Sequence, residues 1–224
     1  MLIVGSYHKT GTVLIKHIFK NIYGKKMYNK TLMGSNLHKF IFRNHFNSVS
    51  NEYIKNNKSV IIIRNPYEII CSGMRYHQRT IETWAQTRRK LFNGLSYKQK
   101  INSLKNDDEK LMFEMNNYAR NTIKAIYNDI KNRNLNKNIY ILKLEDLYDQ
   151  KNLPKICKEI HKHINNKEIS YNKILVAFKT SLNIDFHRTN KKNEYTYPKL
   201  FKKIHYDRFN TLFPKDLFKV LGYQ

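Results

Sequence analysis

The chain has 224 residues, with 42 Lys or Arg against 17 Asp or Glu, so its formal net charge is +25. Seven Gly and four Pro exclude a collagen-like repeat and long linkers, and two cysteines exclude a disulfide framework. The longest aliphatic run, Val60–Ile63, is far shorter than the roughly 20 residues that span a bilayer. Met1 is followed directly by the apolar Leu2–Val4, without a charged leader. We therefore expect a cytoplasmic protein with one domain over residues 1–224, no signal peptide and no transmembrane segment.

The positive charge has two interpretations. Lys, Asn, Ile and Tyr are all abundant, as a strong AT-rich codon bias would produce, and a solvated basic surface would then account for most of the charge. A functional excess would instead favour an anionic partner, such as nucleic acid, a membrane surface, an acidic glycan or a phosphorylated cofactor. Composition alone leaves both interpretations open.

Short apolar runs alternate along the chain with segments of helical periodicity. The runs that predict strands are Leu2–Ser6, His38–Asn44, Ser59–Ile63 and Asn138–Leu144. The segments that predict helices are 12–22, Pro66–Arg79, Glu82–Lys90, Asp108–Lys131, Pro154–Ile164 and Tyr171–Phe178. Strands separated by helices predict an α/β fold with a parallel sheet, in which ligands bind at the carboxyl ends of the strands.

A glycine-bounded loop over residues 5–12 follows the first strand and leads into a helix. Such a loop can direct backbone N–H groups and a helix N-terminus at one place, and Lys9 adds a positive charge, so an anion site is expected here. In the P-loop of nucleoside triphosphatases the Lys follows the second glycine, whereas Lys9 precedes Gly11 by two residues. A simple turn between strand and helix is the alternative interpretation of this segment.

A second candidate phosphate site follows the strand Ser59–Ile63. Arg64 ends that strand, and Ser72 comes eight residues later, about two turns into the next helix. Arg can direct two N–H donors at a phosphate, and Ser adds a hydroxyl. Each residue alone would be an ordinary surface residue, but two such clusters at neighbouring strand ends favour a ligand with more than one anionic group.

These motifs resemble those of the sulfotransferases that use 3′-phosphoadenosine 5′-phosphosulfate (PAPS). The resemblance rests on Lys9-Thr10-Gly11-Thr12 before a helix and on Arg64-Asn65-Pro66 with Ser72. Weaker similarities are Leu144-Glu145-Asp146-Leu147 after a strand and Leu221-Gly222-Tyr223 near the C-terminus. The resemblance implies a three-layer α/β sandwich with a central parallel sheet, similar to the P-loop NTPases.

The family's site residues can be carried over to the matching positions. The resemblance implies that the 5′-phosphosulfate is held by the loop residues His8, Lys9, Thr10, Gly11, Thr12 and Val13. It implies that Arg64 and Ser72 hold the 3′-phosphate and that no metal is required. His45, 19 residues before Arg64, matches the catalytic His and would act as general base, while Lys9 would neutralise the leaving phosphate.

Two departures from the family pattern concern the nucleotide. Leu144 stands where the family often has a Tyr beside the nucleotide, so the adenine must be recognised by other residues. The late basic loop that covers the 3′-phosphate in many members corresponds best to residues 185–200, with Arg188 as the candidate contact.

The acceptor side has weaker signals. Residues 80–107 are the expected acceptor-side insertion, and their basic residues would suit an anionic acceptor. His77 and Trp84 are candidate acceptor contacts, and His77 and His8 are the reserve general bases. A packing role is the more common one for a residue such as Trp84. The acceptor is expected to be a small molecule or a glycan that offers a hydroxyl or an amine.

Two other functions remain as alternatives. A Mg²⁺-dependent P-loop nucleotide kinase would prefer ATP, although the order of Lys9 and Gly11 opposes it. A non-catalytic basic module that binds nucleic acid or an acidic polymer would bind with a steep dependence on salt. The sequence favours the sulfotransferase, for which no nucleic-acid partner is expected.

Overall fold

The computed structural model describes residues 1–24, 40–133, 137–184 and 196–223. Four strands form one parallel sheet in the order β2-β1-β3-β4. They are β1 (Leu2–Gly5), β2 (Phe40–Arg43), β3 (Lys58–Ile63) and β4 (Ile139–Lys143). The predicted α/β class, with a central parallel sheet flanked by helices, is confirmed.

The helices fall into an early and a late group. The early ones are α1 (Thr12–Tyr23), α2 (Asn51–Lys55), α3 (Pro66–Arg79), α4 (Thr83–Gln86), α5 (Tyr97–Asn102), α6 (Asp107–Asn116) and α7 (Tyr118–Arg133). The later ones are α8 (Leu153–Ile164), α9 (Tyr171–Leu182), α10 (Tyr197–Leu200), α11 (Lys203–Leu212) and α12 (Leu217–Val220). Short 3₁₀ helices occur at Phe46–Ser48, Lys90–Phe92 and Glu145–Tyr148.

The residues of β3 explain its central place in the sheet. Val60 and Ile62 point into a core that contains apolar side chains of α1, α8 and α9, while Ile61 and Ile63 are buried on the opposite face. A strand buried on both faces needs apolar residues at every position, which is why the run is continuous rather than alternating. Ile63 pairs with Lys143 of β4, so the strand ends of β3 and β4 lie side by side.

The chain divides into two compact units. The first comprises Met1–Arg64 and Asp129–Phe186 and contains the whole sheet with α1, α2, α8 and α9. The second comprises Asn65–Asn128 and His187–Gln224 and contains α3 to α6, most of α7, and α10 to α12. The expectation of a single domain over residues 1–224 stays a prediction.

Two predicted helices differ from those observed. The predicted helix Asp108–Lys131 is instead two helices, α6 and α7, because Asn117 leaves the helical region at φ −119° and ψ −104°. At this break the Asn117 side chain donates to the Phe113 carbonyl oxygen, and the Tyr118 amide donates to the Tyr97 hydroxyl. The predicted helix Glu82–Lys90 is also wrong in length. Only the short α4 forms there, ending before Thr87.

Within the described ranges, no helix is long and apolar enough to cross a membrane.

Candidate anion-binding site

The loop after β1 is organised around the main chain of Tyr7. Its carbonyl oxygen accepts hydrogen bonds from the Thr10 amide (3.3 Å), the Thr10 hydroxyl (2.9 Å) and the Thr12 hydroxyl (3.1 Å). Its amide in turn donates to Oγ1 of Thr10 at 2.9 Å. Ser6 adds a hydrogen bond from its hydroxyl to Oγ1 of Thr12 at 3.1 Å. The Thr residues of the motif therefore have a clear local role, since they close the loop on Tyr7.

The N-terminus of α1 follows directly from this loop. Gly11 is the N-cap, with a left-handed φ of 99°; having no side chain, it does not cap the helix, and the first turn of α1 contains no acidic residue. Lys9 is also left-handed, at φ 63°, which is unusual for a residue with a Cβ atom. Helix N-termini carry partial positive charge and N–H donors, which is the arrangement that favours a phosphate or sulfate group.

Arg64, from the second motif, lies against this loop. Its Nη1 atom lies 3.5 Å from the carbonyl oxygen of Lys9, and both side chains are half-buried. Tyr148, at the end of the 3₁₀ helix that follows β4, lies within the electrostatic reach of this guanidinium group. Although Tyr148 is 54% exposed, partial desolvation raises the pKa of its hydroxyl, and the charge of Arg64 acts in the opposite direction.

Leu144 packs beneath the loop. A Cβ atom on Gly11 would lie 3.1 Å from Cδ1 of Leu144 and 3.1 Å from Cδ1 of Ile62. The Leu144 amide donates to the Ile63 carbonyl oxygen at 2.9 Å, which continues the pairing of β3 and β4 past the strand end. Leu144, which replaces the expected Tyr, is therefore a buried support of the loop.

His45 lies on the turn that follows β2, at the same edge of the sheet as the loop. Gly5 pairs with Arg43, and the amide of Phe46 donates to the Ser6 carbonyl oxygen at 3.2 Å. The Phe46 ring packs so closely on Gly5 that a Cβ atom there would overlap it. His45 itself is exposed. The structure thus joins the backbone of the His45 turn to the start of the loop.

The other predicted site residues lie in the second unit or outside the described residues. Ser72 is a half-buried residue of α3. His77, also on α3, is fully buried, and its Nδ1 atom lies 2.7 Å from Oε2 of Glu114. Trp84 stacks on Tyr118, with ring centroids 4.5 Å apart. Arg188 lies outside the described residues, as does most of the predicted covering loop, whose last residues form α10.

Sequence reasoning missed two residues that hold the loop in place. The hydroxyl of Tyr7 donates to Oδ2 of Asp129 at 2.6 Å, although the two residues are 122 positions apart. Asp129 belongs to no motif, so no local signal in the sequence could have identified this contact. In the part of the chain that the structure describes, no cluster of His, Cys, Asp or Glu could hold a metal ion.

Comparison with known proteins gives the fold class. The chain has the fold of the sulfotransferases. One similar solved structure is mouse sulfotransferase SULT7A1 complexed with PAP, with a TM-score of 0.61 and 13% sequence identity. The match covers 99% of this chain and 86% of the mouse chain. No protein-family model and no curated protein matches the chain.

Proposed function

We propose that this chain is a sulfotransferase that moves a sulfuryl group from PAPS to a hydroxyl or amine of an acceptor. The observation that carries the proposal is the contact between Arg64 and the carbonyl of Lys9, which joins the two anion-reading motifs in one place. The fold supports it, because a structure with the same fold is a sulfotransferase complexed with PAP, the desulfated product.

The loop residues suit the sulfuryl-donating end of PAPS. Lys9 and the amides of residues 10–13 would stabilise the negative charge that develops on the 5′-phosphate as it leaves. Arg64 would hold the 3′-phosphate through its forked N–H donors, and Ser72 is assigned to the same phosphate on the sequence motif alone. These groups balance phosphate charge without a metal ion. Because Lys9 precedes Gly11 instead of following it, as the Lys of a triphosphate-binding P-loop would, PAPS is the better candidate ligand.

His45 is proposed as the general base. The acceptor oxygen or nitrogen would attack sulfur in line with its bond to the 5′-phosphate, and that bond would break with its electron pair leaving on PAP. The exposed imidazole of His45 would take the acceptor's proton. His77 is a poorer candidate, because it is fully buried and hydrogen-bonded to Glu114. The acceptor proposed is a small molecule or a glycan.

Calorimetric titration with PAP in EDTA tests the proposal, with AMP and with ATP plus Mg²⁺ in parallel. We expect PAP to bind without metal and at least tenfold more tightly than AMP, since only PAP carries the 3′-phosphate. Arg64→Ala should remove most of that preference, whereas the matched variant Arg208→Ala, at an exposed position of α11, should retain it. A preference for ATP with Mg²⁺ would favour the kinase, and no nucleotide binding would leave a basic binding module.

A further inference from the structure

Tyr7 connects the anion loop to a second element of the first unit. Its hydroxyl lies 2.6 Å from Oδ2 of Asp129, near the C-terminal end of α7. A carboxylate can only accept, so the hydroxyl donates, and hydrogen bonds from hydroxyls to carboxylates at this length are among the stronger ones in proteins. The Tyr7 side chain is buried, and its ring packs edge-on against Phe46, with centroids 6.5 Å apart.

The main chain of the same residue holds the loop. Three donors from Thr10 and Thr12 converge on the Tyr7 carbonyl oxygen, and the Tyr7 amide donates back to Thr10. A shift of Tyr7 would therefore move Thr10 and Thr12 with it, and Lys9 lies between Tyr7 and Thr10 in the chain. Since Lys9 has a left-handed backbone, the loop needs external support to keep this conformation.

We propose that Asp129 is a positioning residue that fixes the anion loop through the hydroxyl of Tyr7. The proposal rests on the proposed function, because the loop is assigned there to the 5′-phosphosulfate of PAPS. Asp129 acts before the ligand arrives: a loop already held in its binding conformation loses less conformational freedom when the phosphate binds. Without this hydrogen bond the loop would sample other conformations, and the binding energy would have to restore the correct one.

The test compares the PAP affinities of two single Tyr→Phe variants of this chain. Tyr7→Phe removes only the hydroxyl and retains the ring that packs on Phe46. The matched control is Tyr127→Phe, because Tyr127 is also a buried residue of this chain whose hydroxyl donates to a carboxylate, Oδ1 of Asp216, at 2.8 Å. We expect Tyr7→Phe to weaken PAP binding about tenfold and Tyr127→Phe to leave it within about twofold, while both lower the melting temperature.

A double-mutant cycle separates positioning from a general loss of stability. If the Tyr7–Asp129 hydrogen bond acts by placing Lys9, then it should matter little once the Lys9 side chain is removed. The double variant Tyr7→Phe/Lys9→Ala should then bind PAP no more than about twofold more weakly than Lys9→Ala alone. If the two residues acted independently, the loss of PAP affinity in the double variant would instead be the product of the losses in the two single variants. Asp129→Asn is the second variant, since its amide oxygen can still accept from Tyr7. It should bind PAP more tightly than Asp129→Ala does.

The outcomes are distinct. Unchanged PAP affinity in Tyr7→Phe, or equal losses in Tyr7→Phe and Tyr127→Phe, would overturn the positioning role and leave the proposed function intact. Fully multiplicative losses in the cycle would overturn the placement of Lys9 as the route by which Tyr7 acts. If the wild-type chain failed to bind PAP, the proposed function itself would be wrong, and this role would fall with it. If Tyr7→Phe did not fold, the comparison of Asp129→Asn with Asp129→Ala would decide.

Discussion

Nδ1 of His77 and Oε2 of Glu114 lie 2.7 Å apart, and both side chains are withdrawn from solvent. The same carboxylate oxygen accepts a hydrogen bond from the Tyr97 hydroxyl at 3.0 Å. Burial raises the pKa of Tyr97, and the charge of Glu114 raises it further, so the phenol stays a donor. The other oxygen, Oε1, packs on Gly73, where a Cβ atom would overlap it, and has no hydrogen-bond partner among the described residues. This pair therefore belongs to the interior that joins α3 and α6.

Replacing His77 with Ala should destabilise the second unit strongly. Removing one partner of a buried, hydrogen-bonded pair leaves the other unsatisfied, which costs roughly 3–5 kcal/mol when a charge is stranded. Urea unfolding would measure the loss. Glu109→Gln, at an exposed position of α6, is the control and should change the free energy of unfolding by less than about 1 kcal/mol. A stable His77→Ala protein with greatly reduced turnover would instead return His77 to the role of general base.

Gly11→Ala should weaken PAP binding and stability together. The added Cβ would meet Leu144 and Ile62 at 3.1 Å, and the left-handed backbone disfavours any L side chain. Gly24→Ala is a comparison variant, because Gly24 also has a positive φ, of 86°, but no described residue lies within 4 Å of its Cβ position. We expect both variants to lose stability, by about 1–3 kcal/mol, because an L side chain is strained at the backbone angles of either glycine. Only Gly11→Ala should reduce PAP affinity in calorimetry, and equal PAP affinities in the two variants would contradict this role of Gly11.

Some features of this fold depend on neighbouring residues in the chain, and others depend on distant ones. The continuous run at Ser59–Ile63 predicted a doubly buried strand, and the glycine-bounded loop predicted an anion site, because both depend on neighbouring residues. The break between α6 and α7 depends on Tyr97, about 20 positions before Tyr118, and so could not be read from periodicity. The hydrogen bond from Tyr7 to Asp129 likewise joins residues that are far apart in the chain, 122 positions from each other. Local patterns predicted the elements and the motif, while the supports of the motif came from tertiary contacts.

His45→Ala should reduce turnover while leaving cofactor binding nearly unchanged. General bases contribute roughly 10²–10⁴-fold to rate, so kcat should fall within that range on the acceptor that a screen identifies as fastest. PAP affinity should stay within about twofold, since His45 is assigned to the acceptor's proton and not to the nucleotide. His17→Ala is a suitable control, because His17 lies on α1 and contacts Ser181 at 3.0 Å. Near-normal turnover in His45→Ala would remove His45 from the mechanism.

His163 should make the free energy of unfolding depend on pH in the mildly acidic range. Burial lowers its pKa from the ordinary value of 6.5, and the charge of Lys58 acts in the same direction. Hydrogen bonds with the backbone of Ser59, whose carbonyl oxygen lies 3.0 Å from Nε2, and of Asn138 oppose the shift only in part. Below pH 6.5 the unfolded chain therefore binds a proton at this site that the folded chain does not. The stability that His163 contributes is thus present above pH 6.5 and is lost as the pH falls towards the lower pKa of the folded state.

Urea unfolding of the wild type and of His163→Gln, at pH 5.5 and at pH 7.5, measures this contribution. Gln retains a donor for Ser59 but does not titrate, so the wild type should lose more stability than the variant between the two pH values. The other histidines are common to both proteins and cancel in the difference, and equal losses would show that His163 titrates alike in the folded and unfolded states.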